Sequence, residues 1–230
     1  AQEPAFYAAI TDFLLDLHRL PAPDFAPSLD AEALGALVQL TVDRYPKRPG
    51  NTASELPDLV TAACAALEPL APVLSLRDFH AENVIWLPGR PGSARLGLLD
   101  FQDAVSTHPA YDLVSAFQDA RHEVSAQLEA QELHRYVAAR DLDMASFGAA
   151  YAAIGAQRAL RILGAFARLC LVSGKAQYLA LMPRVWNYLQ RNLEHPALAS
   201  LRLAVHSALE PPEAPMLDRM KQECGKHPTH

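Results

Sequence analysis

The chain has 230 residues, of which 50% are hydrophobic and 20% charged, a composition typical of globular rather than disordered proteins. Its 20 basic and 26 acidic residues give a formal net charge of −6, and without a basic run a nucleic-acid partner is not expected. No apolar run is long enough for a membrane span, and the N-terminus lacks a signal-peptide pattern. The 3 cysteines lie far apart, which favours free thiols in a reducing cytoplasm.

Helical periodicity dominates the first seventy residues. Apolar residues at helical spacing predict a helix over about 4–19 and another over about 30–44. Prolines at positions 21, 23 and 27 end the first of these. Pro57 suits the first turn of a third helix, which is predicted to end near Leu67.

A region of short strands is predicted next. Apolar runs at 73–76, 84–87 and 96–99 have the length of strands, and residues 88–93 are dense in Pro and Gly. The last two runs therefore predict a β-hairpin. If Leu87 faces Leu96, Asn83 falls opposite Asp100, close enough to share one cation.

The rest of the chain is predicted to be helical. Helices are expected from Pro109 to about Phe117 and over about 124–139, 146–172, 176–193 and 197–209. The remaining residues, 211–230, are predicted to form a polar, Pro-rich tail. The 146–172 stretch is apolar nearly all round, which predicts a buried helix. Pro183 should kink or break the following one. The predicted fold class is mainly α with a small β-hairpin region.

Three residues around the hairpin have the types and spacing of a phosphoryl-transfer centre. Asp78 could accept a proton from a hydroxyl, while Asn83 and Asp100 offer the oxygen ligands that Mg²⁺ prefers. The separation of five positions between Asp78 and Asn83 allows the loop to fold back over the end of the hairpin. The structural alternative is that these residues are turn and cap residues, which are common at strand ends.

This arrangement resembles the C-terminal lobe of the aminoglycoside phosphotransferase and choline kinase superfamily, whose members are relatives of the protein kinases. The catalytic loop of that superfamily has the approximate pattern H-x-D-x-H-x-x-N, and a metal-binding Asp follows a hairpin. Asp78, His80, Asn83 and Asp100 match this pattern, whereas Leu76 stands where the family has its first His.

A narrower resemblance is to the bacterial anomeric kinases of cell-wall amino sugars. It covers about residues 70–193 and rests on four segments: Arg77-Asp78-Phe79-His80, Leu99-Asp100-Phe101-Gln102-Asp103-Ala104, Tyr111-Asp112-Leu113-Val114-Ser115 and Leu163-Gly164-Ala165-Phe166-Ala167-Arg168-Leu169. It implies a cytoplasmic, ATP- and Mg²⁺-dependent kinase of cell-wall recycling, which phosphorylates N-acetylmuramate or N-acetylglucosamine at C1. The alternatives are an aminoglycoside- or choline-type small-molecule kinase and a non-catalytic kinase-like lobe.

The family also has an N-terminal β-rich lobe, which carries a phosphate-covering loop and a nucleotide-binding Lys. Before Asp78 the only glycines are Gly35 and Gly50, so no Gly-rich loop is present, and the early region is predicted to be helical. We therefore expect residues 1–210 to form the C-terminal lobe of a longer kinase, with the nucleotide lobe outside this sequence.

Other residues near the predicted centre have two possible roles each. His80 could contact the metal region or phosphate, or bond to backbone in the loop. Gln102 and Asp103 could contact substrate or orient the loop around Asp100. Asp112 could cap its helix or brace the catalytic loop.

Three arginines form a stripe on the predicted 146–172 helix. Arg158, Arg161 and Arg168 fall in one narrow sector amid apolar residues. Arginines that are buried or half-buried need partners, which could be an anionic ligand such as an acidic sugar, or internal acids such as Asp112 or Asp119.

Overall fold

The computed structural model describes residues 3–227, which form α-helices and four short strands. The helices are α1 (Glu3–Leu17), α2 (Ala31–Ala36), α3 (Gln39–Arg44), α4 (Leu56–Ala65), α5 (Ala110–Phe117), α6 (Ala126–Ala139), α7 (Met144–Leu171), α8 (Met182–Leu193), α9 (Ala199–Ala208) and α10 (Ala214–Gln222). The strands are β1 (Val73–Ser75), β2 (Val84–Trp86), β3 (Leu96–Leu98) and β4 (Val105–Thr107). The predicted fold class, mainly α with a small β-hairpin region, is confirmed.

The chain divides into two compact units, each built from two stretches. The first comprises the chain up to Asp30 together with Leu67–Tyr151, and the second comprises Ala31–Ala66 with the chain from Ala152 onward. The strands and the predicted phosphoryl-transfer residues all belong to the first unit. Helix α7 begins in the first unit and continues into the second.

The strands form two separate antiparallel pairs. β2 pairs with β3 as the predicted hairpin, and β1 pairs with β4, with Val73 opposite Thr107. β4 was not predicted, because three residues are too few for a periodic pattern to be recognised. Its pairing with β1 places the segment after β1 close to the start of α5.

The hairpin register differs by one residue from the predicted one. The Leu87 amide donates to the Arg95 carbonyl at 2.8 Å, and the Leu99 amide donates to the Asn83 carbonyl at 2.9 Å. Leu87 therefore pairs with Arg95 rather than with Leu96. Asn83 consequently lies opposite Leu99, and the predicted direct pairing of Asn83 with Asp100 is wrong.

The loop of the hairpin explains the shift. Residues Gly92–Arg95 form a 3₁₀ turn, with Gly92 in the left-handed region at φ 55°. This tight turn brings Arg95 into the ladder, so the loop is shorter than predicted. Asp100 nonetheless stays next to Asn83, because it directly follows the residue that pairs with Asn83.

Two of the predicted helices are interrupted in the structure. The helix predicted over 30–44 is split into α2 and α3, because Val38 and Thr41 make i→i−3 hydrogen bonds to Gly35 and Val38 that tighten the chain between them. The break predicted at Pro183 is confirmed, since a 3₁₀ segment over Ala176–Leu181 ends where α8 begins, with Pro183 in its first turn.

The predicted polar tail contains a helix. Within residues 211–230 the structure forms α10, whose Met216 and Met220 are buried one turn apart. Beyond it, the His227 amide donates to the Leu171 carbonyl at 3.1 Å. The polar tail therefore includes a short helix, because two methionines at i and i+4 suffice to bury one of its faces. Residues 228–230 lie outside the described residues.

In the second unit, α3 packs closely on α7 at a glycine. The Thr41 hydroxyl donates to the Leu160 carbonyl, and a Cβ added at Gly164 would lie 2.6 Å from both the Thr41 amide nitrogen and its Oγ1. A methyl group cannot fit against backbone at that distance. Gly164 is thus the residue that allows this close approach.

We predict that Gly164→Ala lowers the free energy of unfolding by about 1–3 kcal/mol, because α3 must shift away from α7. Gly148→Ala is the matched control on the same helix, where an added Cβ meets nothing within 4 Å. There the better helix propensity of Ala should raise stability by up to about 1 kcal/mol. Urea unfolding of the two variants checks both signs, and equal effects would contradict the packing argument.

Two buried histidines lie in the core of the first unit. The His18 Nδ1 and the Tyr136 hydroxyl are 2.6 Å apart, and burial lowers the pKa of His18 to about 3. His108 Nδ1 accepts from the Ala110 amide at 3.1 Å, its ring packs on Phe147, and burial lowers its pKa to about 4. Both rings are therefore neutral at pH 7.

We predict that acid destabilises the protein below about pH 6.5, the unfolded-state pKa of His. Below this pH the unfolded chain binds protons that the folded chain excludes, so the free energy of unfolding falls as the pH drops toward 4. Each histidine should account for about 2 kcal/mol between pH 6.5 and pH 5.

Denaturant unfolding of His108→Asn at pH 7 and pH 5 measures this effect. The Asn side chain can still accept from the Ala110 amide, but it does not titrate, so the difference between the two pH values should shrink. His134→Asn, at an exposed position on α6, is the control and should leave that difference unchanged. An unchanged difference in His108→Asn would refute the assignment.

Candidate functional site

The candidate site begins where β1 ends. Leu76, which stands at the position of the family's first His, is buried, and Arg77 adopts a left-handed conformation at φ 67°. A non-glycine residue in this region is strained by about 1–3 kcal/mol, so surrounding contacts must hold it. The left-handed residue turns the chain out of the strand immediately before Asp78.

The carboxylate of Asp112 holds this turn. Its Oδ1 accepts from the Ser75 hydroxyl at 2.7 Å and from the Arg77 amide at 3.1 Å, and its Oδ2 accepts from the Leu76 amide at 2.7 Å. The Ser115 hydroxyl also donates to the Arg77 carbonyl at 3.2 Å. Of the two roles considered for Asp112, the structure therefore shows the brace of the loop.

The next residues are anchored by an aromatic side chain. Phe79 is only 2% exposed, and its ring lies 5.6 Å from that of Phe13 on α1. Asp78 and His80 flank it and are half-buried. The Asp78 carboxylate accepts no hydrogen bond from the residues that the structure describes, so it is available to accept a proton from a substrate hydroxyl.

Asn83 closes the loop over Asp78. Its Nδ2 donates to the Asp78 carbonyl at 2.9 Å and lies 3.4 Å from His80 Nε2. Because the amide nitrogen faces these two partners, the Oδ1 atom of Asn83 points to the other side. No group within residues 3–227 donates to that oxygen.

Asp100 lies beyond the end of β3, next to the residue that pairs with Asn83. It is exposed and left-handed at φ 56°, and its Oδ1 accepts from Gln102 Nε2 at 2.6 Å. Gln102 thus contacts Asp100, which agrees with its possible role of orienting the loop around Asp100. Asp103 is exposed and makes no hydrogen bond with the described residues.

The oxygens of Asn83 and Asp100 suit a hard divalent cation. Asn83 Oδ1 and Asp100 Oδ2 accept no hydrogen bond from described residues, and both are oxygen donors of the type that Mg²⁺ prefers. Among residues 3–227, no three His, Cys, Asp or Glu side chains are grouped so as to hold a metal ion. A cation here would therefore depend on the amide of Asn83 and on ligands from a substrate.

Sequence reasoning missed a second layer of charged residues beside this loop. Arg121 Nε pairs with Glu82 Oε2 at 3.0 Å, and the Arg121 amide donates to Asp119 Oδ1 at 2.8 Å. Burial lowers the pKa of His80, and the carboxylate of Asp119 is the strongest of the charges that oppose this effect. No local spacing signals this group, because Asp119 and Arg121 follow α5, far along the chain from His80.

The predicted arginine stripe lies in the part of α7 that belongs to the second unit. Arg158 is 6% exposed and Arg161 is half-buried, as expected for arginines that need partners. Arg168 is exposed, which differs from the expectation for the stripe as a whole. Cys170 in the same last turn of α7 is buried, so this turn keeps an apolar face in the core while Arg168 faces solvent.

The hydrogen bonds of Asp112 should contribute measurably to the stability of the protein. Asp112→Ala leaves the buried Leu76 amide and the buried Ser75 hydroxyl without their acceptor, at about 1–3 kcal/mol each, so the free energy of unfolding should fall by about 3 kcal/mol. Asp24→Ala removes an exposed carboxylate and should change stability by less than about 0.5 kcal/mol. Denaturant unfolding compares the two variants, and similar values would show that Asp112 does not hold the loop.

None of the helices within the described residues is both long and apolar enough to cross a membrane.

The fold is similar to that of a choline/ethanolamine kinase family protein from Mesorhizobium loti, with a TM-score of 0.60 and 17% identity. The match covers 88% of this chain and 66% of that protein. This likeness confirms the predicted kinase-like fold.

Two proteins with the same name are similar to this chain in sequence. A protein named N-acetylmuramate/N-acetylglucosamine kinase from Caulobacter vibrioides is 53% identical over 133 residues, which is 57% of this chain and 37% of that protein. A protein of the same name from Pseudomonas putida is 31% identical over 215 residues, 85% of this chain and 60% of that protein. The chain thus spans between about a third and three fifths of the length of these relatives.

The model of the phosphotransferase enzyme family matches residues 1–147, more than half of the chain. This region includes the loop of Asp78 and Asn83, the hairpin, Asp100 and the brace at Asp112. The chain belongs to the phosphotransferase enzyme family.

Proposed function

We propose that the protein is an ATP-dependent kinase that phosphorylates the anomeric hydroxyl of a cell-wall amino sugar, N-acetylmuramate or N-acetylglucosamine. The observation on which this rests most is the loop in which the amide of Asn83 is bonded to the Asp78 backbone, beside Asp100. This loop provides one unbonded carboxylate for a hydroxyl and two oxygens for a cation. The names of the relatives support the choice of acceptor.

In this proposal Asp78 is the catalytic base. Its carboxylate orients the C1 hydroxyl and takes its proton as the hydroxyl oxygen bonds to the γ-phosphorus of ATP. The bond between that phosphorus and the β–γ bridging oxygen breaks, and ADP leaves with the electron pair. The bonds of Asp112 to the turn at Arg77 and the burial of Phe79 hold Asp78 in a fixed position, which favours in-line attack.

Asn83 and Asp100 would hold Mg²⁺ through Asn83 Oδ1 and Asp100 Oδ2. When bound, the ion neutralises negative charge on the phosphates of ATP. Gln102 steadies the Asp100 carboxylate through its 2.6 Å hydrogen bond, and so limits the orientations of the metal-facing oxygen. His80 contacts the amide of Asn83, and Asp103 is a candidate for contact with the acceptor.

We further propose that residues 1–210 form the catalytic and substrate lobe, with 211–230 as an appended segment that contains α10. The phosphate-covering lobe of the family has no counterpart in residues 3–72, where the structure describes helices and turns but no strand. The reaction is placed in the cytoplasm, where ATP is available and the three free thiols would stay reduced.

The test is a phosphoryl-transfer assay with the protein as encoded by its gene. ATP, Mg²⁺ and a panel of N-acetylmuramate, N-acetylglucosamine, aminoglycosides and choline are supplied, and phosphorus NMR identifies the product. We expect a sugar 1-phosphate, and Asp78→Asn should lower kcat by about 10²–10⁴-fold because the base is lost. Asp24→Asn, at an exposed position, is the control and should retain full activity.

Two outcomes would overturn the proposal. Full activity in Asp78→Asn would show that another group acts as the base, and phosphorylation of choline or an aminoglycoside alone would reassign the acceptor. Absence of turnover with every acceptor would favour a non-catalytic lobe.

A further inference from the structure

The Asn83 amide contacts both the backbone of Asp78 and the ring of His80. The amide nitrogen of Asn83 has two hydrogens, one directed to the Asp78 carbonyl at 2.9 Å and the other toward His80 Nε2 at 3.4 Å. His80 Nε2 can accept this second hydrogen only if the proton of the neutral ring is on Nδ1. The opposite tautomer would place two donors face to face and favour a flipped amide.

Two buried polar atoms near this contact have no partner among the described residues. One is His80 Nδ1, and the other is Oδ2 of Asp119, whose side chain is 97% buried because only 3% of the residue is exposed. A buried polar atom without a hydrogen bond costs about 1–3 kcal/mol, and native proteins leave few of them. A ring N–H and a carboxylate oxygen are complementary partners.

The surrounding contacts place Asp119 beside His80. The Arg121 amide donates to Asp119 Oδ1, and the Arg121 guanidinium pairs with Glu82, which lies two residues after His80. These two bonds tie the segment after α5 to the loop. The charges around His80 are those of Asp78, Glu82, Asp119 and Arg121, and among them Asp119 has the strongest influence on the ring.

We infer that Asp119 is a positioning residue, which accepts a hydrogen bond from His80 Nδ1–H and thereby keeps the Oδ1 atom of Asn83 directed toward the cation. This inference rests on the proposed function for its catalytic consequence, but the hydrogen bond itself does not require catalysis. A carboxylate behind an imidazole fixes both the tautomer and the ring orientation, as in other enzymes where an Asp holds a His in place.

Asp119→Asn is the variant that tests the inference. The Asn oxygen can still accept from the Arg121 amide, which turns the new NH₂ group toward His80 Nδ1. The ring should then move its proton to Nε2 and lose its hydrogen bond with Asn83. Long-range ¹H–¹⁵N NMR of the unliganded protein reports the tautomer directly, and His80→Gln identifies the signals that belong to His80.

Metal binding supplies a second readout. Mn²⁺ titrated into the protein with a non-hydrolysable ATP analogue, followed by electron paramagnetic resonance, should show about 10–100-fold weaker binding in Asp119→Asn. Glu82→Gln is the matched control, since it removes the exposed ion pair with Arg121 but leaves Asp119 in place. It should change neither the tautomer nor the Mn²⁺ affinity by more than about twofold.

A double-mutant cycle separates positioning from a general structural effect. If Asp119 acts through His80, Asp119→Asn should have little further effect on Mn²⁺ affinity in a His80→Gln background. Additive losses would overturn the inference, and so would a wild-type spectrum with the proton on Nε2. A tautomer change in Asp119→Asn without any phosphoryl transfer by the wild-type protein would support the positioning role and refute the kinase proposal.

Discussion

The candidate site depends on one buried carboxylate. Asp112 accepts three hydrogen bonds from consecutive residues at the end of β1, and these bonds offset the cost of placing a charge in the core. They also hold Arg77 in a left-handed conformation that the residue would not adopt by itself. The position of Asp78 therefore follows from a contact with a helix more than thirty residues further along the chain.

The two proposed acidic residues, Asp78 and Asp100, lie just beyond the ends of strands rather than within them. Arg77 and Asp100 both have a left-handed backbone conformation. Arg77 follows β1 and directly precedes Asp78, whereas Asp100 follows β3 and is itself one of the proposed acidic residues. Within a paired strand, each side chain would be committed to one face of a small sheet. Leaving the ladder frees Asp100 from this constraint while the bond between Leu99 and Asn83 keeps it close to the amide.

The second unit meets a different constraint, which is the close packing of helices. Gly164 removes the side chain that would separate α7 from α3, and the Thr41 hydroxyl bonds to an α7 carbonyl at this contact. The segment around Gly164 is one of those that resemble the amino-sugar kinases. Gly164 in this segment is explained by packing.

The sequence by itself determined most helices, the existence of the hairpin and the family, because apolar periodicity and short motifs are local properties of the chain. It also predicted Asp78, Asn83 and Asp100 as a set, through residue type and spacing. Only the tertiary structure decided the hairpin register, the pairing of β4 with β1, the brace at Asp112 and the nearness of Asp119 to His80. These features depend on contacts between residues far apart in the chain or on the conformation of a loop, and neither leaves a periodic signal.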